Sequence, residues 1–301
     1  MARDMAIRLT HAEVRGLLPP RPADAHKGTF GHLLIAAGSR GMTGAAKLAA
    51  YGALRSGVGL VTVAVPRPLA DPMAIALMEA MSLPMPATPE ETFATSAADD
   101  VLDLSDSMNA LALGPGISRH IEAAEFARRV YAEWPHALVA DADALNALAA
   151  EPDALAEPVG PRVLTPHPGE MARLLGASTQ EVQLNRETVA PEFARRYGCV
   201  VLLKGHGTII TDGARVALNP TGNSGMATGG SGDVLTGLTG GLLAQGLAPM
   251  DAACVAAYVH GLAGDLAAEA CTQRATIARD IIEALPAAWM EVENDPPDKE
   301  R

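Results

Sequence analysis

The residues best suited to chemistry form a glycine-rich turn that ends in an acid, Gly229-Gly230-Ser231-Gly232-Asp233. An apolar helical pattern starts directly after this turn, at Val234. Unpaired backbone N–H groups at such a helix start, together with the helix dipole, can hold an anion such as phosphate. We therefore predict that residues 229–232 form an anion hole, with Asp233 at the first helical position.

A carboxylate beside a bound phosphate is electrostatically costly. Asp233 could take the proton of a hydroxyl group that attacks this phosphate, which makes it the candidate catalytic base. The alternative is structural, because Asp is also a favoured residue for capping a helix. The density of glycines and the turns described next favour the catalytic interpretation.

Polar or glycine-rich turns also follow several short apolar runs that are typical of buried strands. The runs alternate with helical patterns, which predicts a mostly parallel α/β sheet. Ligands bind beyond the carboxyl ends of the strands in such sheets. We therefore expect one cluster of the turns Gly38-Ser39-Arg40-Gly41, Gly114-Pro115-Gly116, Asp141-Ala142-Asp143, Thr165-Pro166-His167-Pro168-Gly169-Glu170 and Lys204-Gly205-His206-Gly207-Thr208.

These turns carry further candidate ligand-binding side chains. Lys204 and the residues after it could wrap a nucleotide phosphate or ribose, or could simply open a hairpin. His167 lies between two prolines that restrict its backbone, so it is either a held ligand contact or a packed turn residue. Glu170 could hold a hydrated Mg²⁺ or complement a helix dipole. Asp141, Asp143 and Asn146 form a polar patch at a strand end, in which Asn146 could hydrogen-bond a ligand and Asp143 could simply cap its helix.

Composition limits the class of partner. The chain has 301 residues, 49% of them hydrophobic but only 3% aromatic, and a net charge of −12. This acidity argues against nucleic acid as a partner. The sequence shows neither a signal peptide nor a membrane-spanning segment, and its 3 widely spaced cysteines suit a reducing compartment. We therefore expect a cytoplasmic location and no membrane partner.

The patterns predict one doubly wound domain over residues 1–290. Residues 84–100 look like a surface excursion, and residues 291–301 look like a disordered charged tail. The predicted strands cover residues 33–38, 60–65, 110–113, 137–141, 163–165, 200–203, 209–211 and 216–218. The clearest predicted helices cover residues 44–56, 143–150 and 251–270.

The motifs together resemble a known family, the ADP-dependent NAD(P)H-hydrate dehydratases of the ribokinase-like superfamily. The resemblance runs from about residue 8 to about residue 290. Its most specific parts are the TPHPGE segment at 165–170 and the NPTGN segment at 219–223, which leads on to Gly232-Asp233. The other matching segments are Lys27–His32, Ala36–Ser39, Thr43–Ala46, Leu113–Gly116, Asp141–Asn146 and Leu203–Gly205.

The resemblance implies a three-layer fold with a central, mostly parallel sheet flanked by helices. It also implies nicotinamide nucleotide repair, in which the S-form of NAD(P)H hydrate is dehydrated at the expense of ADP, giving AMP and phosphate. Mg²⁺ would be the cofactor and ADP the co-substrate, and the protein would be a homotetramer. Many members carry an additional epimerase domain, and this chain is similar to the stand-alone dehydratase.

The resemblance also assigns site residues. Asp233 matches the base that deprotonates the substrate hydroxyl group. Ser231 stands where the family more often has threonine, and a hydroxyl group is retained. The hydrate-binding positions match Ala45 (or, in the other register of a small-residue run, Ala46), Gly116, His167 and Asp233. The nucleotide-binding positions match Lys204, Gly205, His206, Gly207, Thr208 and Gly232.

Two other functions share parts of this pattern. A small-molecule hydroxyl kinase of the same superfamily, of the thiazole or pyrimidine kinase type, would have the same glycine-rich turn and Asp233. The TPHPGE segment with His167 favours the dehydratase over the kinase. A nucleotide-binding regulator without catalysis would gain nothing from a carboxylate beside a phosphate.

Overall fold

A single ten-stranded sheet organises the computed structural model, which describes residues 6–294. The strands in chain order are β1 (Ile7–Arg8), β2 (His32–Ala36), β3 (Leu60–Pro66), β4 (Met81–Met85), β5 (Ala110–Leu113), β6 (Ala137–Ala140), β7 (Arg162–Leu164), β8 (Val200–Leu203), β9 (Thr208–Thr211) and β10 (Val216–Asn219).

Twelve α-helices accompany these strands within the described residues. They are α1 (His11–Gly16), α2 (Thr43–Leu54), α3 (Ala70–Ala76), α4 (Ala97–Leu102), α5 (Ile121–Glu133), α6 (Asp143–Ala150), α7 (Pro168–Leu175), α8 (Thr179–Leu184), α9 (Arg186–Tyr197), α10 (Ser231–Ala244), α11 (Pro249–Cys271) and α12 (Ala278–Asn294).

The strand order across the sheet is β1-β10-β9-β8-β7-β6-β5-β2-β3-β4. Every neighbouring pair is parallel except the two that contain β9. The chain leaves β2 toward one edge and later continues from β5 toward the other, so the winding direction reverses between β2 and β5. This reversal opens a crevice at the carboxyl ends of the strands.

The two faces of the sheet carry separate apolar cores. One face packs against α2, α10, α11 and α12, and the other packs against helices that include α5, α6, α7 and α9. The central strands are buried on both faces, as their uninterrupted apolar runs predict. The predicted α/β class, with a mostly parallel sheet between helices, is confirmed.

Helices α2 and α10 approach each other unusually closely. A Cβ atom at Gly237 would collide with the Ala49 carbonyl group, and one at Gly52 would collide with the Val234 carbonyl group. The glycines therefore let the two backbones touch. This contact joins the helix after β2 to the helix that follows the predicted anion hole.

One prediction about the periphery is wrong, and a second is wrong for residues 291–294. Residues 84–100 are not a surface excursion, because Phe93, Ala97 and Ala98 are fully buried and the segment starts inside the edge strand β4. Apolar side chains at the right spacing bury this stretch despite its prolines. Residues 291–294 are not disordered, because α12 extends through them and Val292 packs into the core. The remainder of the predicted tail, 295–301, lies outside the described residues.

Within residues 6–294, no helix is both long enough and apolar enough to cross a membrane.

Candidate active site

Four of the predicted turns lie at one edge of the sheet, where four neighbouring strands end. Strands β5, β6, β7 and β8 lie side by side and parallel. Their carboxyl ends lead into Gly116, Asp141, His167 and Lys204, respectively. The turns are also tied together directly, since the Lys204 amide donates to the Pro166 carbonyl oxygen at 2.9 Å. The predicted clustering of these turns is therefore present in the structure.

The glycine-rich turn forms the N-terminus of α10. Gly230 is the N-cap, with a φ of 90°, and a Cβ atom there would collide with the Leu48 side chain. Among the described residues, no acceptor pairs with the amide groups of Gly232 and Asp233. These free N–H groups lie at the positive end of a 14-residue helix, where they can donate hydrogen bonds to an anion, and they form the candidate anion site.

Asp233 is the third helical residue and not the first, because α10 begins at Ser231. It does not cap the helix, since the N-cap position belongs to Gly230 and carries no side-chain hydrogen bond. No described residue donates a hydrogen bond to its carboxylate, which is only partly exposed. The capping interpretation of Asp233 therefore does not hold.

Lys204 lies among acids and beside the start of α10. Its ammonium Nζ is 2.7 Å from Asp141 Oδ1 and 3.8 Å from Glu170 Oε2. A Cβ atom at Gly232 would lie only 3.3 Å from the same Nζ. Burial lowers the pKa of Lys204, but the charges of Asp141 and Glu170 outweigh this effect and raise it. Lys204 is therefore a fixed cation beside the anion site.

Asp141 anchors this arrangement from the end of β6. It is 1% exposed, and while one oxygen holds Lys204, the other accepts a 2.7 Å hydrogen bond from Thr236 Oγ1. The Gly232 carbonyl oxygen also lies 3.0 Å from Thr236 Oγ1, so the one hydroxyl proton is shared between these two acceptors. Asp141 was predicted to belong to a polar patch at this strand end, whereas Thr236 was not identified from the sequence.

The environment of Asp233 alters its acidity. Burial, followed by the charge of Asp141, raises the pKa of Asp233 to about 7, while Lys204 opposes the rise. A carboxylate with a pKa near neutrality is a much better proton acceptor than an ordinary one. Strongly shifted values of this kind are typical of functional sites.

Arg186 holds the backbone at the start of the predicted nucleotide loop, residues 204–208. The Arg186 guanidinium donates to the carbonyl oxygens of Leu203 at 2.8 Å and Lys204 at 3.1 Å. Inside the loop, Thr208 Oγ1 donates to the Gly205 carbonyl oxygen at 2.9 Å. Gly205, His206 and Gly207 are exposed. The loop is thus held in shape with its outer surface accessible to a ligand.

His167 and Glu170 form a capping box at the start of α7. Nδ1 of His167 accepts hydrogen bonds from the amides of Gly169 at 3.0 Å and Glu170 at 3.4 Å. The Glu170 carboxylate in turn accepts one from the His167 amide at 2.8 Å. The capping box therefore holds the imidazole in place, with half of its side chain exposed to solvent, and contact with a ligand stays a prediction. Burial, with Lys204 and Arg173, lowers the pKa of His167.

The predicted hydrate-binding residues sit at the rim of the crevice. A Cβ atom at Gly116 would lie 3.0 Å from the Ala45 and Met42 Cβ atoms, so Ala45 faces this turn, whereas Ala46 is fully buried. The Asn146 amide is shared between two protein partners: it donates to Asp143 Oδ1 at 3.2 Å and accepts from Arg173 Nη1 at 2.8 Å.

A metal ion would have to rely on few protein ligands. No group of three or more His, Cys, Asp or Glu residues in the described range could hold one. Both Asp141 oxygens are engaged by Lys204 and Thr236, so Glu170, whose Oε2 lies 3.8 Å from Lys204 Nζ, is the carboxylate best placed to hold a hydrated ion. A single carboxylate of this kind fits Mg²⁺, which keeps several waters and binds substrate phosphates.

Sequence comparison matches residues 33–287 to the family described as NAD(P)H-hydrate dehydratase. The ADP-dependent (S)-NAD(P)H-hydrate dehydratase of Bacillus subtilis is 35% identical over 289 residues, which cover 94% of this chain and 98% of that enzyme. This chain belongs to the NAD(P)H-hydrate dehydratase family. Its predicted membership is therefore confirmed.

Other members of the family are longer. The bifunctional NAD(P)H-hydrate repair enzyme of Moorella thermoacetica is 46% identical over 95% of this chain, and the one of Coxiella burnetii is 41% identical over 89%. The matched parts are only 54% and 52% of those enzymes. The chain thus spans about half the length of these curated relatives.

Solved structures confirm the ribokinase-like fold of this dehydratase family member. The ADP/ATP-dependent NAD(P)H-hydrate dehydratase from Bacillus subtilis, co-crystallised with ATP and Mg²⁺, has a TM-score of 0.80 at 32% identity and covers 97% of this chain and 100% of that one. A ribokinase-like superfamily protein from Enterococcus faecalis has a TM-score of 0.83 at 25% identity, covering 98% and 99% of the two chains.

Proposed function

We propose that this protein dehydrates the S-form of NAD(P)H hydrate to NAD(P)H at the expense of ADP, with AMP and phosphate as by-products. The observation in the site that carries the phosphoryl-transfer step is the position of Asp233, and membership of the dehydratase family favours this reaction over that of a hydroxyl kinase. The Asp233 carboxyl group, with a pKa raised to about 7, lies on the first turn of α10 beside unpaired amides and the Lys204 ammonium. Phosphoryl transfer to a hydroxyl group is catalysed by groups of these kinds, which position the reactants and stabilise the transferring charge.

Asp233 starts the reaction by taking the proton of the hydroxyl group at C6 of the hydrated nicotinamide ring. The oxygen then forms a bond to the β-phosphorus of ADP, and the bond from this phosphorus to the bridging oxygen of AMP breaks. The Ser231 amide is engaged by the Thr228 carbonyl oxygen, so the unpaired amides of Gly232 and Asp233, with Lys204, stabilise the charge on the phosphoryl group during transfer. Cleavage of the C6–O bond then expels phosphate, and loss of a C5 proton restores the double bond.

The remaining residues bind and orient the two substrates. Lys204, Gly205, His206, Gly207, Thr208 and Gly232 bind the nucleotide, and Ala45, Gly116, His167 and Asp233 bind the hydrate. We propose that Asn146 acts indirectly, by orienting Arg173 at the rim, because both sides of its amide are engaged. Mg²⁺ would be held through water by Glu170, with Asp141 nearby, and would neutralise phosphate charge when bound.

The deciding experiment incubates the protein with NADH hydrate and either ADP or ATP, and follows absorbance at the reduced nicotinamide band together with phosphate release. Restored absorbance with stoichiometric phosphate is the expected result. A stable phosphorylated product formed from ATP would instead identify the hydroxyl kinase alternative. The homotetramer and the cytoplasmic location stay predictions.

A further inference from the structure

The polar groups of the NPTGN segment are engaged by the protein itself. Asn219 Nδ2 donates to the Ala257 carbonyl oxygen of α11 at 2.9 Å, and Thr221 Oγ1 donates to the Tyr258 carbonyl oxygen at 2.9 Å. Asn219 is also 5% exposed. This segment therefore docks on α11, although it lies in a motif that leads to the anion site.

Asp265 of α11 makes the only charged contacts to this segment among the described residues. Its Oδ2 accepts a 2.8 Å hydrogen bond from the Gly222 amide, and its Oδ1 accepts one of 2.8 Å from Asn223 Nδ2. Asn223 in turn accepts from the Gly225 amide at 2.8 Å. Hydrogen bonds to an ionised acceptor are roughly twice as strong as neutral ones.

The same helix also reaches the far end of the loop. Nε2 of the buried His260 lies 3.5 Å from the hydroxyl oxygen of Ser231, the first residue of α10. Helix α11 thus contacts the loop of residues 219–230 near its start and the anion site where that loop ends. Several glycines make this loop intrinsically flexible, so its shape depends on such contacts.

We propose that Asp265 is a positioning residue for phosphoryl transfer, which fixes the 219–230 loop on α11 so that the amides before Asp233 face the terminal phosphate of the nucleotide. Asp265 acts through Gly222 and Asn223 and touches no substrate. The inference rests on the proposed function in one respect, namely that the N-terminus of α10 holds the terminal phosphate of ADP.

This role predicts an effect that depends on the terminal phosphate. AMP lacks the β-phosphate that the anion site would hold, whereas both nucleotides use the loop at Lys204. Loss of Asp265 should therefore weaken ADP binding and leave AMP binding unchanged. It should also lower kcat, because a small misplacement of the reacting groups slows the reaction strongly.

The experiment compares Asp265→Ala with Glu269→Ala, which removes an exposed acid one turn further along the same helix. We expect Asp265→Ala to weaken ADP binding about tenfold, to change AMP binding by less than about twofold, and to lower kcat about 10- to 100-fold. Glu269→Ala should match the unchanged protein in all three measurements. Calorimetric titration with ADP and with AMP measures binding without any dehydratase assay.

A second variant keeps the proposal testable if Asp265→Ala does not fold. Asp265→Asn retains an acceptor for the Gly222 amide but places an amino group against Asn223, so we expect an intermediate loss of ADP affinity. Equal losses for ADP and AMP, or no loss for either, would overturn the positioning role. Failure of the dehydratase reaction alone would overturn the proposed function and leave the binding result valid.

Discussion

The hydroxyl group of Thr236 donates a 2.7 Å hydrogen bond to Asp141, across 95 residues of sequence. Since the other Asp141 oxygen holds Lys204, this contact joins α10, the end of β6 and the end of β8. The cation, the anion site and the candidate base are therefore positioned by one buried carboxylate.

Thr236→Val should test this junction. The variant keeps the shape of the side chain but removes a hydrogen bond to a charged acceptor, which is worth about 1.5–3 kcal/mol of unfolding free energy. We expect this loss of stability together with a lower kcat, as measured by denaturant unfolding and steady-state kinetics.

Thr239→Val is the matched control for this experiment. Thr239 is equally buried on α10, but within residues 6–294 its hydroxyl group bonds only to the Leu235 carbonyl oxygen of its own helix. Removal of this hydroxyl group should change the free energy of unfolding little, because such bonds contribute little to helix stability. Equal effects of the two substitutions would argue against the junction.

Asp233→Asn should lower turnover by several orders of magnitude but preserve ADP binding, because it removes the base without removing the anion site. Turnover is measured by phosphate release, and binding by calorimetry. Retention of normal turnover would remove Asp233 from the mechanism.

The same substitution should stabilise the protein above neutral pH. The pKa of Asp233 is about 7 in the folded state against an ordinary 3.8, so the unfolded state binds fewer protons between these values. The stability contribution of this group therefore falls as pH rises through that range. We expect Asp233→Asn to gain about 1–2 kcal/mol at pH 8, after allowance for partial solvent screening. The gain should vanish below about pH 4, as chemical denaturation at both pH values can show.

The pH dependence of kcat/KM should report the acidity of Asp233. Because the base must be deprotonated, kcat/KM should fall about tenfold per pH unit below an apparent pKa near 7. Lys204→Gln removes a positive charge that lowers this pKa, so the acid limb should move to higher pH. An acid limb near pH 4, unaffected by Lys204→Gln, would contradict the assignment.

Gly237→Ala should separate α2 from α10. Its new methyl group would collide with the Ala49 carbonyl group, and overpacking of this kind costs about 1–3 kcal/mol. Gly44→Ala, on α2, is the control, because nothing lies within 4 Å of its new methyl group. Thermal unfolding should show a lower midpoint for the first variant and no loss for the second.

Glu170→Gln should separate metal binding from helix capping. The neutral amide can still accept the His167 hydrogen bond, so we expect α7 to stay folded, with a loss of at most about 1 kcal/mol. The Mg²⁺ concentration for half-maximal activity should rise several-fold if Glu170 holds the hydrated ion. An unchanged Mg²⁺ titration would leave Glu170 with the capping role alone.

The short strands and the helix after the anion site could be predicted because their signals are local. Buried strands such as β2 and β5 appear as brief apolar runs that end at glycine, and α10 follows a glycine-rich turn. The position of Asp233 within α10 was misplaced by two residues, since helix starts depend on backbone geometry that residue type alone does not specify. Strand β1 is only two residues long and exists because β10 lies beside it.

Residue types and their order were sufficient to indicate the α/β class, the family resemblance and the side chains that face the crevice, because these depend on patterns within a few residues. The partners of those side chains depended on the folded chain. The pairing of Lys204 with Asp141, the contact of Thr236 with Asp141 and the attachment of Asn223 to Asp265 join residues that are 63, 95 and 42 positions apart. Local sequence does not show which distant polar groups will meet. An unpaired polar or charged group inside a protein costs free energy, so the folded chain pairs these groups.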